Sequence, residues 1–463
     1  MNAQKFFKLN VLSLLALVVM MVSCSKESSD LIGFVPKDAY VVATLKPMDL
    51  AKKANLEKLE VSDPSLAELK NLFMEDNGID LRQTVFFQSG NEGCFVFAIN
   101  DKGKFEKTLE GTPKEEINGK PVYTDKNLIV ADDYGWVVVE GDVETVAGKI
   151  DGWMTQTEEN SVLAVNGFND MMLKSDVDLY VNFNEIYEMA PANERTMLAN
   201  IASFQKLKDA SMYISLSFEK EDVFIKFHAL NAEGENMLPE LNLEDVNKSV
   251  FKYIDAKSSV VLAQAANQEM VDSYKAMVQQ LVGSPSEQQM AKLALDSWDG
   301  SIAIGATITD LDNYYANSGS IVFGLTDNGE DNLNNLFKNE LSAMGLLTET
   351  GKNTYTVSNL PLPSSLTLKV VDDMLVVNYG AEVKDSYSAS KFSDKSSAIY
   401  LDCSEGTALA QLLQSALGNK AVTGYVYGYM DDKEGSLQIH VNNAGGEHEN
   451  VMSLLVDLLS LAL

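Results

Sequence analysis

Residues 212–228 of this 463-residue chain read MYISLSFEKEDVFIKFH, and apolar and polar side chains alternate along most of the first half. In an extended chain Met212, Ile214 and Leu216 lie on one side and the residues between them lie on the other. A short charged turn leads into a second apolar run, so the stretch predicts an antiparallel hairpin. Such strands have one buried and one polar face, which is typical of antiparallel sheets.

The hairpin pattern recurs near the C-terminal end, where residues 425–430 and 435–440 flank a second charged turn. Four further pairs of segments match in the same order along the chain. They are residues 96–103 with 322–329, 118–124 with 350–356, 132–139 with 372–377, and 179–182 with 399–402. Self-similarity at a steady spacing is typical of repeated structural units. The sequence therefore predicts an internal duplication.

Strands joined by short turns and interrupted by a few helices indicate an α+β fold. We predict two tandem homologous repeats, over residues 34–246 and 247–463, each a mainly antiparallel sheet with a few packed helices. The apolar run from Val451 to Leu463 is too short to span a bilayer, so it predicts a core helix.

Helix signals recur in both repeats. Asp63 and Pro64 open one predicted helix, and Ser284 to Glu287 opens the other with the pattern of a capping box. Apolar residues at helical spacing follow in each case, and a glycine ends each run. The apolar residues are Leu66, Leu69, Leu72 and Phe73 in the first and Met290 and Leu293 in the second, and the glycines are Gly78 and Gly300.

The N-terminus has the order of regions found in a signal peptide. Lys5 and Lys8 precede an apolar stretch, and the small residue Ser23 stands directly before Cys24. This ending resembles the bacterial lipobox, which is cleaved before its cysteine and carries acyl chains such as palmitate on it. We therefore predict a lipoprotein signal peptide over residues 1–23, a lipid on Cys24 and an anchor linker over residues 24–33.

The chain is strongly acidic, with 67 Asp and Glu against 36 Lys and Arg and a formal net charge of −31. We expect no nucleic-acid partner, because proteins bind its phosphate backbone mainly through Lys and Arg. The membrane is a predicted partner only through the lipid on Cys24. Cys94 and Cys403 lie in strand-like runs, where they form a disulfide or, more commonly for such residues, stay buried as free thiols.

The organisation resembles Bacteroidetes lipoproteins known as domain of unknown function 4836. The resemblance covers about residues 24–463 and rests on the lipobox, the two-fold repeat and three short motifs. These are residues 34–39 (FVPKDA), 52–54 (KKA) and 78–80 (GID). It implies an outer-membrane, lipid-anchored protein without an assigned activity. In that lineage acidic residues after the lipidated cysteine favour surface display, which Ser25-Lys26-Glu27 matches in part, so the surface and the periplasmic face both stay open.

From its motifs, the sequence predicts no catalytic residue, no metal site and no cofactor. The three histidines form no zinc-binding helix pattern, and no phosphate loop or nucleophile elbow occurs. Ser-x-x-Lys patterns begin at Ser203, Ser217 and Ser388 without the companion motifs of the enzymes that use them. Carboxylates are so abundant that their presence does not discriminate between functions.

One set of residues forms a candidate ligand site. Tyr425, Tyr427 and Tyr429 share one face of a predicted strand, and Gln438 and His440 alternate on the next strand. If the apolar residues between them are core, the three rings face outward and could stack on a sugar or grip a protein. The alternative is that a helix or the other repeat covers this face and each hydroxyl is hydrogen-bonded.

These features favour a non-catalytic envelope lipoprotein that binds an unknown glycan or protein, or that has a structural role, at the outer membrane or cell surface. The alternative is a hydrolase of glycans or cell-wall material that uses a pair of carboxylates.

Overall fold

The computed structural model describes residues 30–57, 70–71, 77–192, 195, 202–281, 283–310, 313, 316–358, 366–380, 382–416, 422–442 and 450–454. Cys24 and the signal peptide, the predicted helix that opens at Asp63, and the apolar run beyond Leu454 lie outside these residues. The chain divides into two compact units. Unit 1 falls within Met1–Met237 and Gly445–Leu463, and unit 2 within Leu238–Ala444.

Unit 1 has ten strands among its described residues. They are β1 (Val41–Leu45), β2 (Ile79–Ser89), β3 (Glu92–Ile99), β4 (Lys114–Ile117), β5 (Lys120–Tyr123), β6 (Leu128–Ala131), β7 (Tyr134–Glu140), β8 (Val177–Asn182), β9 (Ser211–Phe218) and β10 (Asp222–Leu230). Each strand pairs antiparallel with its neighbours in the order β4-β5-β6-β7-β3-β2-β1-β8-β9-β10.

Helices pack on the sheet of unit 1, and apolar side chains fill both of its faces. Phe87 belongs to one buried cluster and its neighbour Phe86 to another, because successive side chains point to opposite faces. The α-helices are α1 (Asp30–Gly33), α2 (Pro47–Ala54), α3 (Lys102–Thr108), α4 (Val143–Thr155), α5 (Phe168–Met171), α6 (Phe183–Met189) and α7 (Ala202–Leu207). Short 3₁₀ helices span Thr124–Lys126, Glu158–Asn160 and Val162–Ala164.

Unit 2 also has ten strands in the part of it that is described. They are β11 (Val260–Ala265), β12 (Trp298–Thr307), β13 (Ser318–Leu325), β14 (Leu347–Gly351), β15 (Thr354–Val357), β16 (Leu366–Val371), β17 (Met374–Tyr379), β18 (Ser397–Cys403), β19 (Thr423–Met430) and β20 (Gly435–Asn442). Their antiparallel pairing follows the order β14-β15-β16-β17-β13-β12-β11-β18-β19-β20.

The helices of unit 2 include one whose start was predicted from the sequence. Ser284 and Glu287 form the expected capping box, and Met290 and Leu293 pack against a buried cluster. The α-helices are α8 (Gln268–Leu281), α9 (Pro285–Asp296), α10 (Gly329–Asn335) and α11 (Ala408–Ala416), and a π-helical turn spans Leu336–Leu341. Among the described residues, 3₁₀ helices span Leu238–Leu241, Lys248–Tyr253 and Ala389–Phe392. The last two pack on one face of the sheet through Phe251 and Phe392.

The prediction of an α+β fold with antiparallel sheets is confirmed. Cys94 and Cys403 are buried free thiols, and burial raises the pKa of Cys94 to about 12. Over the described residues, no helix combines the length and the apolar character needed to cross a membrane.

Candidate functional site

The five residues predicted from the sequence lie together on one face of β19 and β20. Tyr425 is directly opposite His440, and Tyr427 is directly opposite Gln438. Tyr429 continues the row along β19, since residues two apart in a strand share a face. All five side chains are half-buried. The structure therefore brings the whole predicted set to one place.

An aromatic row runs across the three neighbouring strands β18, β19 and β20. Tyr425 stacks on His440 with ring centroids 4.8 Å apart, and Tyr400 lies 5.8 Å from Tyr425 on the other side. The ammonium of Lys391 lies 3.5 Å from the centroid of the Tyr400 ring. Tyr425 thus has a ring on each side, and the Lys391 ammonium also lies 5.3 Å from its ring centroid.

Tyr427 and Tyr429 have a partly structural role. Both rings pack against the buried cluster that contains Phe392. The Tyr427 hydroxyl donates a hydrogen bond to the backbone carbonyl of Lys391, and the Tyr429 hydroxyl donates to a Glu434 carboxylate oxygen at 2.6 Å. Burial, with Glu434 adding to it, raises the pKa of Tyr429 to about 12.

This arrangement differs from the outward-facing row of three rings considered from the sequence. It matches the alternative for Tyr427 and Tyr429, because a 3₁₀ helix covers that end of the face and both hydroxyls are hydrogen-bonded. Tyr425 lies outside the buried cluster. It is therefore the tyrosine of the three that is best placed to meet a ligand.

Two lysines above the row differ in their charge partners. Lys395 lies over the Tyr429 ring at 3.7 Å and forms an ion pair with Asp431. Within the described part of the chain, no carboxylate lies within ion-pair distance of Lys391. Burial of its ammonium lowers the pKa of Lys391, against a smaller raising effect of Asp402.

A small cleft opens between the 3₁₀ helix and the aromatic row, with a volume of about 280 Å³. Its wall combines hydroxyl, amide, ammonium and aromatic groups. The lining residues are Ser390, Lys391, Ser393, Lys395, Tyr425, Tyr427 and Gln438. We call this the tyrosine cleft. Three of the five predicted residues line it, while the rings of Tyr429 and His440 contact the lining residues Tyr427 and Tyr425.

A second cavity of about 430 Å³ lies beside the tyrosine cleft, and Lys395 lines both. Four aspartates contribute to this cavity: Asp245, Asp394, Asp431 and Asp432. Burial works to raise the pKa of Asp431, but hydrogen bonds from Lys395 and from two backbone amides together lower it. In the described ranges, no group of three or more His, Cys, Asp or Glu side chains is placed to hold a metal ion.

In unit 1, Tyr180 on β8 and Tyr213 on β9 lie directly opposite each other with ring centroids 5.3 Å apart. Phe168 of α5 packs over both rings, and all three side chains are at most 3% exposed. The sequence comparison matches Tyr213 with Tyr425 and Tyr180 with Tyr400. When each residue is located by its partner on the neighbouring strand, Tyr213 corresponds instead to Tyr427, two residues further along β19. Tyr213 faces Tyr180, whereas Tyr425 faces Asp402 and Tyr427 faces Tyr400.

No family model and no curated protein matches this chain. Among solved structures, two crystal forms of a protein named TP0453 are similar to it. Form III matches with 14% identity and a TM-score of 0.28 over 44% of this chain and 80% of TP0453. Form IV matches with 13% identity and a TM-score of 0.29 over 43% of this chain and 81% of TP0453. Similarity at these TM-scores carries no argument about fold or function.

Sequence reasoning missed Lys391 and Tyr400 as parts of the site. Lys391 was visible only as the end of a chance Ser-x-x-Lys pattern beginning at Ser388. Tyr400 was visible as part of a matched strand. Their connection with Tyr425 depends on the pairing of β18 with β19 and on the 3₁₀ helix above them.

Proposed function

We propose that this chain is a lipid-anchored envelope protein that binds a glycan in the tyrosine cleft without catalysing a reaction. The lipid would be attached to Cys24 and would hold the protein at the outer membrane, on its surface or on its periplasmic face. Membership of the lipoprotein family named domain of unknown function 4836 is part of this proposal. The sequence of residues 1–24 supports the anchor.

The observation that carries the binding proposal is the composition of the tyrosine cleft. Sugars present hydroxyl groups that both donate and accept hydrogen bonds. Ser390 and Gln438 have both donor and acceptor groups, and the Ser393 hydroxyl, which donates to the backbone carbonyl of Ala389, adds acceptor capacity in the same small space. Tyrosine rings add rigid amphipathic contact area, because they have only two side-chain torsions to fix on binding.

The binding test uses Tyr425→Ser rather than replacement of all three tyrosines. Tyr427 and Tyr429 contact the core, so their removal would confuse lost binding with lost stability. Ser211 occupies the corresponding position opposite β8 in unit 1, which supports serine as a tolerated replacement. We expect the full chain, but not the variant, to be retarded in native gels that contain polysaccharide. Equal migration of both proteins across a panel of polysaccharides would contradict the proposal of glycan binding in the tyrosine cleft.

The anchor has its own test, because it is independent of the cleft. The Cys24→Ala variant should lose the incorporation of a labelled fatty acid that the wild-type chain shows in cells. It should also be released from the membrane fraction as a folded protein. Equal labelling of both proteins would show that Cys24 is not the site of the lipid.

We also propose that the two units are homologous repeats. The support is that their strands follow corresponding orders, with β11 to β20 in the places of β1 to β10. The five matched sequence pairs fall on corresponding strands and turns. An experimental structure in which unit 1 and unit 2 fail to superpose over their β-strands would contradict a duplication.

A carboxylate-dependent hydrolase is the second candidate, favoured by the aspartate-lined cavity. Such enzymes need one carboxyl group that stays protonated and one that is ionised. The lowered pKa of Asp431 fits the ionised partner alone. Release of reducing sugar from a polysaccharide by the purified chain, lost in Asp431→Asn, would establish hydrolysis; no release from any substrate in the panel would exclude it for those substrates.

A further inference from the structure

The tyrosine cleft contains a positive charge that the described protein does not neutralise. Lys391 has no carboxylate within ion-pair distance in the described ranges, whereas Lys395 in the same cleft is paired with Asp431. The chain as a whole carries a formal net charge of −31. An ammonium without a partner ion in a cleft attracts an anion to this point.

The position of Lys391 makes this charge useful for binding. Its ammonium lies over the Tyr400 ring at 3.5 Å and over the Tyr425 ring at 5.3 Å from the centroid. Contacts of this kind restrain a flexible lysine before a ligand arrives. Less side-chain freedom is then lost on binding, which increases affinity.

The remaining groups distinguish a sugar from a simple anion. Phosphate and acetate mainly accept hydrogen bonds and have few donors of their own. Hydrogen-bond acceptors in a binding site therefore contribute little to their binding. The Ser390 hydroxyl and the Gln438 amide can accept as well as donate, and the Ser393 hydroxyl, which donates to the backbone carbonyl of Ala389, can still accept. A cleft of about 280 Å³ is just below the range of about 300–1,000 Å³ for ligand pockets, which suits one sugar ring.

We infer that the tyrosine cleft binds an acidic sugar, a pyranose ring that carries one carboxylate. The carboxylate would pair with the Lys391 ammonium, and the ring hydroxyls would bond to the serine and glutamine side chains. This inference rests on the proposed glycan-binding function and narrows its ligand class.

The experiment is a calorimetric titration of the full chain in detergent with single sugars. Glucuronic acid and N-acetylneuraminic acid are the acidic probes, because they place the carboxylate at different ring positions. Glucuronic acid methyl ester is the matched neutral probe, and acetate tests charge without a ring. We expect one acidic sugar to bind at least about tenfold more tightly than the methyl ester and than acetate, a difference of about 1.4 kcal/mol.

Two protein variants test whether the Lys391 ammonium is the charge that binds the carboxylate of the sugar. Lys391→Met removes the ammonium and keeps a long apolar side chain, and we expect it to lose about tenfold in affinity for the acidic sugar only. Lys257→Met is the matched control, because Lys257 is an exposed lysine of unit 2 that does not line the cleft. It makes the same change in net charge and should bind like the wild type.

The outcomes distinguish the inference of an acidic-sugar ligand from the proposed glycan-binding function on which it rests. Equal binding of glucuronic acid and its methyl ester, both weakened by Tyr425→Ser, would overturn the acidic-sugar assignment and leave glycan binding in place. Binding of acetate as tightly as of the acidic sugars would overturn both. Absence of binding by every sugar would also overturn both. Equal losses in Lys391→Met and Lys257→Met would show a general charge effect and overturn the assignment.

Discussion

The two units build similar aromatic groups and cover them differently. In unit 1, Tyr180 and Tyr213 lie under Phe168 and are almost fully buried. In unit 2, Tyr400 and Tyr427 occupy the corresponding opposed positions, but a 3₁₀ helix that carries Lys391 lies above them. Phe168 is an apolar cover, whereas the 3₁₀ helix buries Phe392 and is a polar cover at Ser390 and Lys391, which line the cleft. The two units therefore differ in the covering segment and also in one strand residue, since Ser211 takes the position of Tyr425.

The largest loss of stability should follow from removing Phe168, the apolar cover of the tyrosines in unit 1. We expect Phe168→Ala to lower the free energy of unfolding by about 3–5 kcal/mol, because the ring is fully buried and leaves a cavity. Tyr425→Ala in the half-buried row of unit 2 should cost no more than about 1 kcal/mol. Denaturant titrations of both variants measure the two values. Similar losses would show that the two clusters are equally part of a core.

A smaller effect should follow from loosening the polar cover. Tyr427→Phe removes the hydrogen bond to the carbonyl of Lys391, and we expect a loss of about 1 kcal/mol of unfolding free energy. Tyr387→Phe is the control, since the Tyr387 hydroxyl has no hydrogen-bond partner in the described part of the chain. A Tyr427→Phe protein as stable as the control would mean that this bond does not fix the 3₁₀ helix.

The smallest expected effect on the free energy of unfolding concerns the ion pair of Lys395 with Asp431. The pKa of Asp431 is lowered in the folded protein. Its contribution to stability is therefore complete above about pH 4, near the unfolded pKa, and is lost as the pH falls through the folded pKa. We expect less than about 1 kcal/mol for this partly exposed pair.

The measurement is the free energy of unfolding of wild type and Lys395→Met between pH 6 and pH 3. The variant should lose less stability than the wild type on acidification, while Lys257→Met should follow the wild type. Parallel curves for wild type and Lys395→Met would show that the pair does not stabilise unit 2.

Local sequence signals predicted much of the fold. The hairpin of β9 and β10 follows from alternating side chains around a charged turn, and both of its strands form as expected. The capping box of Ser284 and Glu287 is equally local, and it is confirmed. These predictions succeed because every interaction that they depend on lies within a few residues of the chain.

The environment of the tyrosines could not be predicted in the same way. Alternation assigns Tyr425, Tyr427 and Tyr429 to one face, but it does not say which segment covers that face. Tyrosine suits both a core and a surface, because its ring is apolar and its hydroxyl is polar. The two-residue shift between the hairpins was hidden for a related reason. A shift of two leaves every side chain on its original face.

The central strands of each unit pair with partners from distant parts of the sequence. Val42 of β1 lies opposite both Phe87 and Tyr180, and Val261 of β11 lies opposite both Gly305 and Tyr400. Contacts between residues so far apart slow folding, because a long loop must close before they form. We therefore expect β8 and β18 to dock late on the folding pathway. The buried tyrosines and the tyrosine cleft would then both form in the slowest step.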